Sequence, residues 1–439
     1  MLPFWLLACF LAQSWAAPEQ VHLAFHDGPL DLSVAWITFN DVDSILSYGT
    51  SLSSLVKKTG DIKKWVFGGI TRYSHRVRLH DLKPSTQYYY QIESRIFHFK
   101  TLPANPKSYK VCIYGDLGIE NGVSTTSIIN QGLAGQFDFV VHVGDLAYDL
   151  HTDNGKRGDK FMNLMEPLIS TMPYMVIAGN HEDDGKNFSN YQTRFYMPHN
   201  GYGDNQFYSV DIGPVHWLGI STEFYGFDRE YGTASIQTQY NWLQNDLKTA
   251  EANRKNVPWI STFQHRPMYC SIEYGNECTD FTSDFIRVGD RGLPGLEPTF
   301  LKYSIDFGFW GHMHAYERMY PVADRKYYAS NSAYHNPVAP VYVLTGSAGC
   351  HTPGAKFSNK PTAWSAFRSD DYGYTIMTVA NMTHVRLQQV SVSKNGAFID
   401  DIWVSKDPGH IHTATMRENT PHGEIPNKSR YLLENNEIH

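Results

Sequence analysis

Five short apolar runs in this chain stop abruptly at residues whose side chains bind cations, and that repetition constrains the fold more than any other feature. Lys110-Val-Cys-Ile-Tyr114 ends in Gly115-Asp116, and Phe137-Asp-Phe-Val-Val-His-Val143 ends in Gly144-Asp145 with Tyr148 three residues on. Tyr174-Met-Val-Ile-Ala178 leads to Gly179-Asn180-His181, the run 259–263 to His265, and the run 305–310 to Gly311-His312-Met-His314. Helical patterns fit 124–134, 160–170 and the amphipathic stretch 235–251. Strand, polar residue, helix, repeated, predicts an α/β layered domain over 108–405. In open α/β sheets ligands gather at the carboxyl ends of strands.

Upstream the rhythm is different. From residue 20 to 101 the chain alternates as half-buried strands do, in Leu32-Ser-Val34-Ala-Trp36 and Thr86-Gln-Tyr88-Tyr-Tyr90. Leu82-Lys-Pro84-Ser-Thr86-Gln-Tyr88 resembles the stretch before the sixth strand of fibronectin type III modules, with Tyr88 as the corner tyrosine. An all-β sandwich is expected there. Residues 102–107, Leu-Pro-Ala-Asn-Pro-Lys, read as a linker because proline supports neither helix nor ladder. From 406 to 439 the composition turns polar, and a poorly ordered tail is expected.

With 439 residues, 42% of them hydrophobic, two domains have ample core. The net charge of −7 argues against a nucleic-acid partner, whose footprint is usually basic. Residues 1–16 read as a secretory signal ending in Ser14-Trp15-Ala16, although no Lys or Arg precedes the apolar run; a buried N-terminal helix is the alternative. No later stretch reaches the roughly 20 apolar residues of a membrane span. Asn187, Asn381 and Asn427 head glycosylation sequons. Once Cys9 leaves with the signal, Cys112, Cys270, Cys278 and Cys350 remain; Cys270 and Cys278 are near enough to close a loop, but spacing leaves the pairing open. Secretion is the expected route, to the extracellular space or to lysosomes.

Each cation-binding piece alone is weak, because Gly-Asp pairs and lone histidines are common. Together, and in this order, they resemble the dinuclear metallophosphoesterase signature. Tyr148 and the run Ala315-Tyr316-Glu317-Arg318 narrow the resemblance to the purple acid phosphatases, and the two-domain layout to their larger, plant-type members. The resemblance implies iron(III) on Asp116, Asp145, Tyr148 and His314. It implies a second, divalent ion (iron, zinc or manganese) on Asp145, Asn180, His265 and His312. Five formal positive charges less three anionic ligands leave about +2, a local field that an acidic protein needs for a phosphate ester. The implied reaction is acid phosphatase hydrolysis of phosphate monoesters by a metal-activated hydroxide. His181 would contact the phosphate or protonate the leaving group, help worth about 10²–10⁴ in rate; an orienting role is the alternative.

The departures are specific. Tyr274 and Gly275 stand where plant-type members carry a histidine pair, so Tyr274 is a candidate substrate contact in its place. Thr262 replaces a valine. Arg266, directly after His265, reads either as a phosphate contact or as a surface arginine. A small phosphorylated molecule or a phosphoprotein is the implied partner, and monomer and homodimer both stay open. Two competing readings keep the fold: a phosphodiesterase or pyrophosphatase on the same centre, and an inert secreted binding glycoprotein. The presence of all seven ligands argues against the second. His22, His142, His199, His216, His335 and His351 are read as structural or surface residues.

Overall fold

A computed structural model of the chain describes residues 17–272, 278, 281–350, 357 and 361–416. The expected leader 1–16, Tyr274, Gly275, His351 and the sequon at Asn427 lie outside the described residues.

The first domain is two four-stranded antiparallel sheets. One runs in the order Glu19–Gly28, Asp31–Thr38, Ile70–Leu79, Asp61–Phe67, and the other Val56–Thr59, Ile45–Gly49, Gln87–Ile92, Arg95–Lys100. Val34 pairs across the strands with Val77, and Trp36 with His75, whose ring stacks on the indole. Tyr88 forms the expected corner: its hydroxyl accepts the Lys83 N–H at 3.0 Å.

The pattern of Asp31–Thr38 suggested one wet face, yet seven of its eight residues are buried. The second domain covers the other face. The polar residues of the alternation find backbone carbonyls there, Ser33 Oγ donating to Tyr196 O at 2.9 Å and Ser74 Oγ to Thr193 O at 2.8 Å. A buried charge cluster completes the interface. Arg72 from the first domain and Arg194 from the second share Asp159, at 2.6 and 2.8 Å, and both guanidiniums lie against Trp65.

The second domain stacks two mixed sheets. Six strands run Tyr174–Val176, Phe139–His142, Tyr109–Tyr114, Gly373–Val379, His384–Ser391, Ala397–Ser405, and the first three are parallel. Seven run Tyr208–Ile212, Val215–Gly219, Trp259–Phe263, Phe307–Trp310, Val341–Thr345, Tyr316–Met319, Ser365–Ser369, with the second to fifth parallel. Phe139 against Trp217, and the Trp217 indole N–H on Tyr109 Oη, join the sheets face to face. The outer face of the larger sheet carries the helix Ala234–Ala252, through Leu243 and Leu247 beside Leu218 and Ile260. The helices Thr125–Leu133 and Lys156–Ile169 contribute Ile128, Met165 and Leu168 to the other core.

The segment beyond 405, expected as a loose tail, starts with a docked stretch. Lys406 Nζ bonds Asp306 and the Pro258 carbonyl at 2.7 Å each, and His412 is buried. Residues 417–439 lie outside the described residues. Among the described residues no helix is long and apolar enough to cross a membrane.

Burial opposes ionisation of Asp159, but Arg194 and Arg72 hold its carboxyl below the usual range. The stabilisation is therefore present above the ordinary carboxylate pKa and lost only as pH falls through the depressed native value. Asp159→Asn should destabilise the protein by about 3–5 kcal/mol, because it leaves buried guanidiniums uncompensated. Thermal unfolding at pH 5 and pH 7 should show similar losses; an unchanged midpoint would contradict the assignment.

Candidate metal centre

The three parallel strands of the smaller sheet end just before Asp116, Asp145 and Asn180. Two parallel strands of the larger sheet end just before His265 and His312. The site forms where these carboxyl ends meet. The backbone there is strained: Asp116, Asp145, Tyr148 and His312 have φ of 61°, 52°, 45° and 70°. Non-glycine residues in this left-handed region cost of order 1–3 kcal/mol each and persist only where the surroundings enforce them. Two glycines let main chain approach the carboxylates. A Cβ at Gly179 would stand 2.3 Å from Asp145 Oδ1, and one at Gly311 would stand 2.4 Å from Asp116 Oδ2.

The structure brings all seven expected side chains together. Ligand atoms of Asp145, His265 and His312 lie within 4.8 Å of one another. Asn180 Oδ1 is 3.0 Å and Asp145 Oδ1 is 3.3 Å from His265 Nε2. Tyr148 Oη is 2.8 Å from His314 Nε2 and 3.4 Å from Asp116 Oδ1. His265 Nδ1 donates to the Val143 carbonyl at 2.8 Å, so that Nε2 is the nitrogen a cation would take on displacing its proton. The Asp116 carboxylate accepts the His312 N–H at 2.9 Å, and Asp145 Oδ1 accepts the His181 N–H at 3.0 Å.

The electrostatics are those of a cation site. Burial resists protonation of His265, but Asp145 lifts it to about 10. His314 rises to about 10 against the same penalty, through hydrogen bonds to Asp116 and to the Cys350 thiol. Despite burial, His265 and His181 hold the Asp145 carboxyl well below the usual range. Buried carboxylates, a phenol, an amide and imidazoles are a donor set for hard and borderline transition metals. They fit two ions sharing Asp145.

Several participants were not identified from sequence. Glu182, fully buried, accepts the N–H groups of Asp145, Leu146 and Gly179 at 2.8, 2.9 and 2.8 Å, and so shapes the Asp145 loop and the Asn180 turn at once. It sits within the Gly-Asn-His-Glu run, a signal that was visible but carried no role. Asp149 Oδ1 lies 2.7 Å from His181 Nδ1. Arg266 is not a solvated surface residue: its guanidinium pairs with the buried Glu223. Cys350 is buried. The remaining cysteines are resolved as a Cys270–Cys278 disulfide and a buried, free Cys112 thiol. His142, which burial pushes down to about 3, is a neutral core residue bonded to Tyr174 at 2.6 Å. Asn187 and Asn381 are exposed.

Comparison with known proteins agrees across the chain. Residues 18–101 match the family model "Purple acid Phosphatase, N-terminal domain", 109–316 "Calcineurin-like phosphoesterase", and 339–401 "Iron/zinc purple acid phosphatase-like protein C". Acid phosphatase type 7 of Mus musculus is 41% identical over 92% of this chain and 98% of its own length. The Homo sapiens protein of that name is 41% identical over 89% of this chain and 91% of its own. In fold, the chain is similar to purple acid phosphatase PPD1 from yellow lupin, with a TM-score of 0.75, 23% identity, and coverage of 92% of this chain and 78% of the lupin chain. A sandwich followed by a two-sheet phosphoesterase domain, matched along its length in this way, belongs to the purple acid phosphatases, metal-dependent enzymes with a dinuclear centre.

Proposed function

We propose that Asp116, Asp145, Tyr148 and His314 hold iron(III), that Asp145, Asn180, His265 and His312 hold a divalent iron, zinc or manganese ion, and that the centre hydrolyses phosphate monoesters. The observation that carries this is the His265 tautomer, set by the Val143 carbonyl with Nε2 turned to Asn180 and Asp145. When bound, two such ions supply charge that draws in phosphate and activates the attacking water. Burial, then Asp116 and Asp145, push the Tyr148 phenol well above its usual pKa. Only a highly charged cation would hold it as phenolate, which favours iron(III) on that side.

His181 is the proton donor in this reading. Its Nδ1 is engaged by Asp149 and its ring lies edge-on to Tyr148, centroids 4.6 Å apart, which leaves Nε2 for the substrate. Burial opposes its protonation, but Asp145 and Asp149 lift it to about 9. Cations on Asp145 would pull that value back toward acid, where a donor is needed. Small phosphorylated molecules and phosphoproteins are the substrates proposed. Secretion, with an extracellular or lysosomal destination, is supported by the leader, the exposed sequons and the disulfide.

Asp145→Asn should abolish bound metal and turnover together, read as metal content per chain and phosphate release from an aryl phosphate. Full turnover without metal would refute the centre. His181→Gln should lower kcat by about 10²-fold or more with metals retained. Asp149→Asn removes a charge that raises His181, so the protonated form is lost at lower pH. The basic limb of the kcat profile between pH 3 and 9 should move toward acid; an unmoved limb would exclude the Asp149–His181 pair from proton transfer.

A further inference from the structure

Arg266 has the geometry of a group held for a ligand. Its backbone N–H donates to Thr222 Oγ1 at 2.8 Å, and its Nε donates to Glu223 at 2.9 and 3.2 Å. Glu223 is fully buried, and the Arg266 side chain is 17% exposed. The short helix Glu223–Gly226 lies flat against the guanidinium: a Cβ at Gly226 would stand 2.9 Å from Arg266 Nε. At the other end, Nη1 is 3.4 Å from Nε2 of His312, a residue proposed above to hold the divalent ion. One edge of the fork therefore grips a buried carboxylate while the other faces the metal centre.

A guanidinium beside cations is repelled unless an anion lies between them. Phosphate is such an anion, and the planar fork matches its oxygens. We propose that Arg266 is a substrate-binding residue, oriented by Glu223, that donates to a terminal phosphoryl oxygen on the divalent-ion side of the centre. This rests on the dinuclear reading and deepens it toward specificity. A monoester offers three terminal oxygens and a diester two, so a fixed donor added to two ions and His181 selects the monoester. Glu223 is a positioning residue: it touches no substrate and sets the direction of the fork.

The test uses the full-length, metal-loaded protein. Arg266→Gln should raise KM for an aryl phosphate and the inhibition constant of inorganic phosphate by about ten- to hundred-fold, the scale of one charge-assisted hydrogen bond. Both metals should be retained, and an aryl diester should be affected less. Because that variant strands Glu223, the double variant Arg266→Gln/Glu223→Gln is needed. It should restore the thermal midpoint and leave the KM defect in place. Arg266→Lys should recover only part of the phosphate affinity. A double variant that binds phosphate like the wild type would reduce Arg266 to a structural partner of Glu223. Loss of metal in the variants would mean that it acts through His312, which also overturns the proposal. A wild-type protein with neither metal nor turnover would strike at the dinuclear reading instead, so the two failures are separable.

Discussion

The site depends on contacts that cross from one sheet to the other. The Val143 carbonyl, just past a strand of the smaller sheet, receives His265 Nδ1 from just past a strand of the larger. Asp116 receives the His312 N–H across the same divide. Neither sheet holds the whole proposed ligand set. Asp116, Asp145, Tyr148 and Asn180 come from one, and the three histidines from the other. Face-to-face seating of the sheets, through Phe139, Trp217 and Tyr109, brings these side chains within reach of one another as well as filling a core.

The first domain bears on this arrangement more directly than its distance in sequence suggests. The helix Lys156–Ile169 follows the Asp145–Asp149 loop, and the helix Ser189–Arg194 follows the Asn180–Glu182 turn. Asp159 on the first and Arg194 on the second meet Arg72 of the sandwich in one buried cluster. The segments that leave the Asp145–Asp149 loop and the Asn180–Glu182 turn are thus tied to each other and to the neighbouring domain. The sandwich splints the loops from behind.

Much of this was legible in the sequence because the proposed ligands sit at the ends of parallel strands, where local pattern and chemistry coincide. The strands leading to Asp116, Asp145 and His265 and the helix at 234–252 follow from apolar runs and periodicity alone. The partners did not follow. Glu182 serves backbone N–H groups of another loop, and Glu223 serves an arginine far along the chain, so neither has a local signature. The antiparallel strands after residue 364 also went unread. Gly373–Val379 earns its place by pairing with Tyr109–Tyr114, a long-range partnership that no window of sequence displays. Asp31–Thr38 showed alternation, but burial of its second face is set by the other domain.

The left-handed backbone at the centre has a further implication. Aspartate and histidine tolerate that region fairly well, whereas tyrosine with its bulkier ring does so less readily, so Tyr148 carries the sharper strain. Glycine or asparagine at that position would relax the main chain. Selection for thermal robustness alone would therefore erode this enzyme at Tyr148, one of its proposed ligands, first, and a stabilised descendant could keep every sheet while losing its chemistry.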